Sequence, residues 1–187
     1  MTAFLFQPLA LRGLTLPNRI VVAPLTQFSA DDGVAGDWHT GHLGQFALSG
    51  AALILTESCY VAAEARNATS CLSIYNDDQA AAIGRVASFI HAVGQSAFGV
   101  QLCHAGRKAS ARAPWDGGGP KPVSAGGYQA VAPSATPISN SWPTPRALET
   151  AEAQDVVEMF AAGARRAAEE TAASRHAPPG RNRPDDE

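Results

Sequence analysis

Residues 97–110, AFGVQLCHAGRKAS, join an apolar run to a group of polar side chains. The run predicts a buried β-strand, and Gln101, His104, Arg107 and Lys108 lie at or just beyond its end. A strand that is buried on both faces favours residues such as Val and Leu, because polar groups without partners are costly to bury. We therefore expect the polar end of this strand to face a ligand.

Patterns typical of strands and helices alternate along the chain. Residues 3–19 predict a β-hairpin that turns at Arg12 and Gly13. The remaining sequence predicts three strands, at 20–25, 51–61 and 97–103, and three helices, at 37–48, between Asn76 and Gly94, and after Thr150. This order predicts a parallel sheet with right-handed crossovers. An open doubly wound sheet and a (β/α)8 barrel both satisfy the pattern.

The helices are predicted from apolar residues at intervals of three and four. The first helix is expected to bury Trp38, Leu43 and Phe46 or Ala47. The third follows a long segment rich in Pro, Gly and Ser, 105–148, and Thr150 is its predicted N-terminal cap. Its predicted apolar stripe consists of Val156, Val157, Phe160, Ala164 and Ala167.

The composition is typical of a globular domain, with 45% hydrophobic and 17% charged residues among 187. A net charge of −3 gives no reason to expect nucleic acid or an anionic membrane as a partner. No apolar stretch reaches the roughly 20 residues of a membrane helix, so we expect no spanning segment. Three cysteines without CxxC spacing, and no signal-peptide pattern at the N-terminus, predict a reduced, cytoplasmic protein.

Polar residues follow each predicted strand. The strands end in 23–26 (APLT), 56–58 (TES) and 101–104 (QLCH). Parallel α/β folds place their ligand sites at this edge of the sheet. A proline, a hydroxyl and an amide side by side suit a flat heteroaromatic ring, and Gln101 can both donate to and accept from such a ring.

Four blocks of the sequence resemble the Old Yellow Enzyme family of FMN-dependent ene-reductases, and most of all its xenobiotic-reductase-like branch. The blocks are NRIVVAPLTQFS (18–29), LTESCYV (55–61), VQLCHAGRKAS (100–110) and the segment from PSATPIS to FAAGARRA (133–167). They occur in collinear order, and the resemblance covers residues 3–170.

The resemblance implies an FMN-containing (β/α)8 barrel that takes hydride from NAD(P)H and passes it to an α,β-unsaturated carbonyl, a small enone-type molecule. Thr26 would bind near flavin O4, Ser58 would contact the same edge, and Gln101 would bind the pyrimidine part of the ring. The residues implied to bind the cofactor are Ala23, Pro24, Leu25, Thr26, Ser58 and Gln101. No residue of this chain is assigned a catalytic role.

Several of these residues also have a simpler structural interpretation that involves no ligand. Gln101 can be an exposed polar strand end, and Thr26 can begin a loop with a local hydrogen bond. Glu57 is the one carboxylate placed as a general base, but a structural pairing with Arg107 or with a neighbouring backbone group is preferred.

The histidines do not predict a metal site. They are dispersed over different elements and have no carboxylate in register. His39 and His42 are expected to be structural or to form the outer wall of the site, whereas His104 and Arg107 are expected to organise the start of the long loop.

The sequence after residue 170 departs from the family. Residues 1–170 are predicted to form the N-terminal portion of the barrel, a hairpin plus about three βα units. Residues 171–187, TAASRHAPPGRNRPDDE, predict a disordered tail, which we interpret as the result of a frameshift or a truncated gene. A barrel needs eight strands, so it is expected to be incomplete.

The incomplete barrel has consequences for activity. The chain alone is expected to bind FMN weakly or not at all, and to be inactive. The alternative is a non-catalytic fragment or pseudoenzyme. We expect that a full-length form is able to form homo-oligomers.

Overall fold

The computed structural model describes residues 3–174. A 3-10 turn at Phe4–Phe6 precedes the first strand. The regular elements then follow in this order: β1 (Leu9–Leu11), β2 (Leu14–Leu16), β3 (Val21–Val22), α1 (Asp37–Ala47), β4 (Leu53–Tyr60), α2 (Asp77–Val93), β5 (Ala97–Cys103), β6 (Val131–Ala132), β7 (Arg146–Ala147) and α3 (Glu152–Ser174).

The central sheet contains three parallel strands in the order β3-β4-β5. Val21 pairs with Leu53, and Leu53 pairs with Ala97 on the other side. The register between β4 and β5 shifts between Leu55 and Ser58, so that Ser58 pairs with Gln101. Parallel strands joined by helices confirm the predicted α/β fold with three βα units after the hairpin. Over the described range the sheet is open and forms no closed barrel.

The predicted N-terminal hairpin is present. Strands β1 and β2 pair antiparallel, with Leu9 opposite Leu16. Arg12 lies in the turn with a φ of 52°, a left-handed conformation that such a tight reversal requires. Leu16 is buried, so the hairpin is anchored on the rest of the fold.

Two of the predicted strands are shorter than expected. The strand predicted at 20–25 reduces to Val21–Val22, and the one predicted at 51–61 reduces to Leu53–Tyr60. Pro24 has no N–H to donate, and β3 pairs on one side only within residues 3–174. The chain therefore leaves the ladder at Ala23, and the strand-end residues form a loop. The strand predicted at 97–103 is confirmed as Ala97–Cys103.

The main core lies between one face of this sheet and the helices. Its side chains come from β4, α2 and β5, together with Leu72 and Ile74 from the segment before α2. Ile54, Ile74, Ile83, Ile90 and Phe98 are among its largest buried members. The opposite face of the sheet is less covered, and Val21 remains largely exposed. This difference places the helices on the outside and the exposed face toward the interior of a barrel.

Helix α2 follows the sequence prediction. Asn76 is its N-cap, and its side chain accepts a hydrogen bond from the Gln79 N–H at 2.9 Å. Gly94 is its C-cap, and it lies so close to the end of α1 that an added Cβ would collide with the Ala47 carbonyl oxygen. The glycine is therefore required by close approach of the two helices.

Helix α1 corrects one prediction. Leu43 and Ala47 are buried and Phe46 is half-buried, but Trp38 is 57% exposed. Its indole stacks on His42 and donates from Nε1 to the Gln27 side chain at 3.4 Å. The prediction from helical spacing treated Trp38 as an apolar core residue. Its ring instead lies on the surface, between His42 and the Gln27 side chain.

Helix α3 also differs from the prediction. It begins at Glu152, whose carboxylate accepts the Glu149 N–H at 2.8 Å, so Thr150 does not act as the side-chain cap. Val157 and Ala164 are exposed and do not belong to the buried stripe. Gly163 faces the sheet, and a Cβ at this position would lie 3.2–3.4 Å from side-chain atoms of Val61, Ile74 and Leu102. A glycine in this position lets the helix pack tightly on the sheet.

The helix also passes the predicted tail boundary. Residues 171–174 belong to α3, although the sequence places them in the tail. The remaining tail residues, 175–187, lie outside the described residues. Within the described range, no helix is long and apolar enough to cross a membrane.

The segment predicted as a long loop, 105–148, folds over the carboxyl edge of the sheet. It contains three 3-10 turns and the short parallel pair β6 and β7. Arg66 connects this segment to the preceding loops, because its guanidinium binds Asp32 at 2.6 Å and its carbonyl accepts the Tyr128 hydroxyl at 2.5 Å. The strand ends are therefore bordered by an ordered segment.

Replacing Gly94 by Ala tests the helix contact. We expect Gly94→Ala to lower the free energy of unfolding by about 2 kcal/mol, because backbone has to shift to admit the methyl group. Gly13→Ala is the matched control, since a Cβ at Gly13 meets nothing within 4 Å. Urea unfolding followed by circular dichroism measures both. Equal stability of the two variants would contradict the close packing.

Candidate functional site

The carboxyl ends of β3, β4 and β5 meet at one edge of the sheet. Ser58 and Gln101 are register partners on neighbouring strands, and the Ser58 hydroxyl donates to Gln101 Oε1 at 2.9 Å. The segment 23–26 follows β3 at the same edge because the strands are parallel. The structure thus brings these sequence-predicted site residues to one side of the sheet.

Gln101 is held from two directions. Its backbone N–H donates to Thr56 Oγ1 at 3.1 Å, and its side-chain oxygen accepts from Ser58. The side chain is exposed, and within residues 3–174 its amide NH2 has no protein partner. A fixed amide with unused donors can bind a carbonyl or ring-nitrogen acceptor of a ligand.

The segment 23–26 presents both backbone and side chains to this edge. Pro24 and Thr26 are half-buried, whereas Ala23 and Leu25 are exposed, Leu25 at 69%. The Thr26 hydroxyl makes no hydrogen bond within the described part of the chain, so it is available to a ligand. The alternative prediction, a local hydrogen bond from the Thr26 side chain within the loop, is therefore not supported by the hydrogen bonds of the described residues.

Glu57 pairs with the backbone and not with Arg107. Its Oε2 accepts the Gln27 N–H at 3.2 Å, and its Oε1 lies 3.4 Å from His39 Nε2. Of the two structural pairings left open, the one with Arg107 is not made, because the carboxylate points toward α1 while Arg107 lies exposed in the long segment. The alternative, pairing with a neighbouring backbone group, is the one observed.

The histidines have structural roles at this edge. His104 Nδ1 accepts the Gly106 N–H at 3.0 Å, which orders the start of the long segment as predicted. Burial lowers the pKa of His104 below its ordinary value. His39 is buried and accepts the Gly36 N–H at 3.1 Å, which is a structural role, and His42 lies outside it with its ring stacked on Trp38. Residues 3–174 hold no group of three or more His, Cys, Asp or Glu side chains arranged for a metal ion.

Two features of the site were missed by sequence reasoning. Phe28 has a φ of 51°, unusual for a bulky residue, and its ring packs edge-to-face on Trp115 with centroids 5.5 Å apart. His39 and Glu57 form the buried pair described above. Phe28 follows the strand-end motif by two residues, but nothing in the spacing connects it with Trp115 or connects His39 with Glu57.

The cysteines are free and two of them are fully covered. Cys59 and Cys71 are buried, and Cys103 is half-buried. Burial raises the pKa of both Cys59 and Cys71 to about 12. Their thiols therefore stay protonated near neutral pH and act as small apolar core residues.

Residues 4–173 match the model of the NADH:flavin oxidoreductase / NADH oxidase family. The chain belongs to this family. The membership confirms the resemblance to the Old Yellow Enzyme family over the N-terminal half. The matched region contains 23–26, Ser58 and Gln101.

Relatives of this flavin oxidoreductase chain share about one third of its residues. An NADH:flavin oxidoreductase of Gibberella zeae is 37% identical over 87% of the chain and 40% of the relative. An NADPH dehydrogenase of Geobacillus sp. is 34% identical over 90% of the chain and 46% of the relative. The chain therefore spans less than half the length of these relatives.

A solved structure shows the same architecture. Morphinone reductase in complex with tetrahydroNAD has a TM-score of 0.76 and 33% sequence identity, and the match covers 90% of this chain and 47% of that one. The three βα units described above therefore correspond to somewhat less than half of the morphinone reductase chain, and they match the predicted N-terminal part of a (β/α)8 barrel.

Alkylation of the native chain tests the burial of the cysteines. We expect iodoacetamide at pH 8 to modify Cys103 first, because Cys59 and Cys71 are buried thiols with a pKa of about 12. Mass spectrometry of tryptic peptides locates the label, and the chain in denaturant, where all three sites react, is the control. Early labelling of Cys59 in the folded chain would contradict the packing between β4 and the helices.

Proposed function

We propose that this chain contributes the first part of an FMN-dependent NAD(P)H oxidoreductase that reduces activated C=C bonds of small α,β-unsaturated carbonyl compounds. The observation that carries the proposal is the strand-end edge, where the hydrogen-bonded pair Ser58 and Gln101 adjoins the segment 23–26. This edge occurs in a chain that belongs to the NADH:flavin oxidoreductase family.

The groups at the edge fit the ring system of FMN. A flavin ring presents carbonyl oxygens and ring nitrogens along its polar side, and the exposed Gln101 amide has free donors for them. The Thr26 hydroxyl adds another donor without a protein partner within residues 3–174. The residues proposed to hold the ring are Ala23, Pro24, Leu25, Thr26, Ser58 and Gln101.

FMN, when bound, supplies the redox chemistry, which is hydride acceptance from a nicotinamide and hydride donation to an electron-poor alkene. The protein groups bind and orient the ring. Ser58 fixes the Gln101 oxygen, so the amide NH2 keeps one direction. The Thr26 hydroxyl, as a donor, stabilises negative charge that develops on a neighbouring carbonyl oxygen.

The described residues supply only one side of such a site. Barrels commonly bind the phosphate of a cofactor in the loops after strands seven and eight, and residues 3–174 form the first three strands of the barrel. We propose that the 187-residue chain alone binds FMN weakly and does not turn over. The exposed Val21 and Leu25 on the interior side support this view, because the corresponding surface of a closed barrel is packed.

We also propose that the protein works in the cytoplasm, where NAD(P)H is available. Three free cysteines, two of them buried, suit a reducing compartment. A small-molecule enone and a nicotinamide are the proposed partners, and a full-length form is proposed to be able to form homo-oligomers.

A chimeric enzyme tests the activity. We expect residues 4–173, placed in the Geobacillus NADPH dehydrogenase in exchange for its matching region, to give a yellow protein that reduces 2-cyclohexenone with NADPH. The rate should lie within about a hundredfold of the parent, since small misplacements at a junction can cost that much. The parent enzyme is the positive control. A folded, flavin-loaded chimera without enone reduction would refute the proposed reaction.

The isolated chain tests the weak binding. We expect the purified 187-residue protein to lack one equivalent of bound flavin in its visible absorbance spectrum. Barrels commonly bind the cofactor phosphate in the loops after strands seven and eight, and residues 3–174 form the first three strands. Added FMN should keep most of its fluorescence at micromolar protein. A yellow preparation with one flavin per chain would overturn this expectation.

A further inference from the structure

A buried acid and a buried histidine face each other beneath the strand-end segment. Glu57 and His39 are 3% and 1% exposed, and Glu57 Oε1 lies 3.4 Å from His39 Nε2. Across the described residues, neither of these two atoms makes a hydrogen bond of good geometry, either with each other or with any other group. Buried polar atoms of this kind ordinarily have a partner, so their mutual approach needs an explanation.

The second ring nitrogen of His39 fixes which atom carries the proton. His39 Nδ1 accepts a hydrogen bond from the Gly36 N–H at 3.1 Å, at the beginning of α1. An accepting nitrogen is deprotonated, so in the neutral ring the proton resides on Nε2. His39 therefore caps the helix with one nitrogen and presents an N–H to Glu57 with the other.

The other carboxylate oxygen of Glu57 holds the loop that follows β3. Glu57 Oε2 accepts the Gln27 N–H at 3.2 Å, one residue after Thr26. Residues 23–27 have left the β-ladder, so this bond replaces the ladder as the connection between the loop and β4. A hydrogen bond to a carboxylate is stronger than one to a neutral acceptor.

Among residues 3–174, no Lys or Arg lines the small cavity beside the pair. The cavity is lined mainly by apolar residues of β3, β4 and α1, with Gln27 and the half-buried His42 as the polar exceptions. In the described part of the chain, Glu57 forms no ion pair with Lys or Arg. The Glu57 carboxylate is therefore in contact with the Gln27 N–H, which donates to Oε2, and with His39 Nε2, which approaches Oε1 to 3.4 Å.

We propose that His39 and Glu57 are positioning residues for the segment 23–27. His39, fixed by its bond to Gly36, orients the Glu57 carboxylate, and Glu57 fixes Gln27 and with it the direction of the Thr26 hydroxyl. The consequence for flavin binding rests on the proposed function, whereas the positioning itself is a property of the chain alone.

Two substitutions of His39 separate the helix cap from the contact with Glu57. His39→Asn keeps an oxygen near the position of Nδ1, so it retains the cap and loses the donor to Glu57. His39→Gln places an NH2 near the position of Nε2, so it retains the donor and weakens the cap. Amide hydrogen exchange of the full 187-residue chain, followed by NMR, reports the Gln27 N–H in both variants.

We expect His39→Asn to speed exchange at Gln27 about tenfold, and His39→Gln to leave it within about twofold of the original chain. Glu57→Gln should resemble His39→Asn, because a neutral amide oxygen is the weaker acceptor. Glu64→Gln is the matched control, since Glu64 is an exposed acid that makes no hydrogen bond to residues 23–27. The Leu102 amide in β5 verifies that each variant is folded.

Several outcomes would overturn the proposal. One is unchanged exchange at Gln27 in both His39→Asn and Glu57→Gln. Another is acceleration in His39→Gln that equals that in His39→Asn, which would show that only the cap matters. The 15N shifts of His39 in the unaltered chain give a test that needs no variant, because a proton on Nδ1 would exclude the proposed arrangement.

The connection to flavin is measured separately in the chimera. His39→Asn should retain less FMN than His39→Gln at equal protein stability. Equal retention would refute the effect on flavin binding. A chimera that binds no FMN in any variant counts against the proposed function, while the exchange at Gln27 still decides the positioning role.

Discussion

The parallel pairing of β4 with a strand on each side is the constraint on which the rest of the structure depends. Strand β4 is the middle strand, and Ile54 packs against the helices while the end of the strand carries Glu57 and Ser58. Parallel neighbours must end at the same edge, so Gln101 and the segment 23–26 are brought to the end of β4 by topology. The register shift after Leu55 then aligns Ser58 with Gln101.

The edge also shows how a fold can hold polar groups next to an apolar core. The Ser58 hydroxyl donates to the side-chain oxygen of Gln101, and the Thr56 hydroxyl oxygen accepts the Gln101 backbone N–H. The Gln27 backbone N–H donates to one carboxylate oxygen of Glu57. The contacts of Gln101 join uncharged groups, whereas Glu57 offers a carboxylate oxygen to the Gln27 N–H. Such an arrangement gives fixed directions to donors, which a flat ligand with carbonyl groups requires.

Several elements of the fold follow from local sequence. The helix between Asn76 and Gly94 has a capping residue, a regular apolar pattern and a terminating glycine, and all three act as predicted. The strand at 97–103 is likewise present, because a short apolar run with β-branched and aromatic residues has few alternatives. The four sequence blocks indicated the family, and the match over residues 4–173 shows it.

The sequence by itself determined the order of strands and helices, the edge at which polar residues gather and the family. Only the tertiary structure decided which side chains touch. The exposure of Trp38 and the direction of Glu57 toward His39 depend on contacts between residues far apart in the chain. Periodicity describes one element at a time, whereas burial and pairing are properties of two elements packed together.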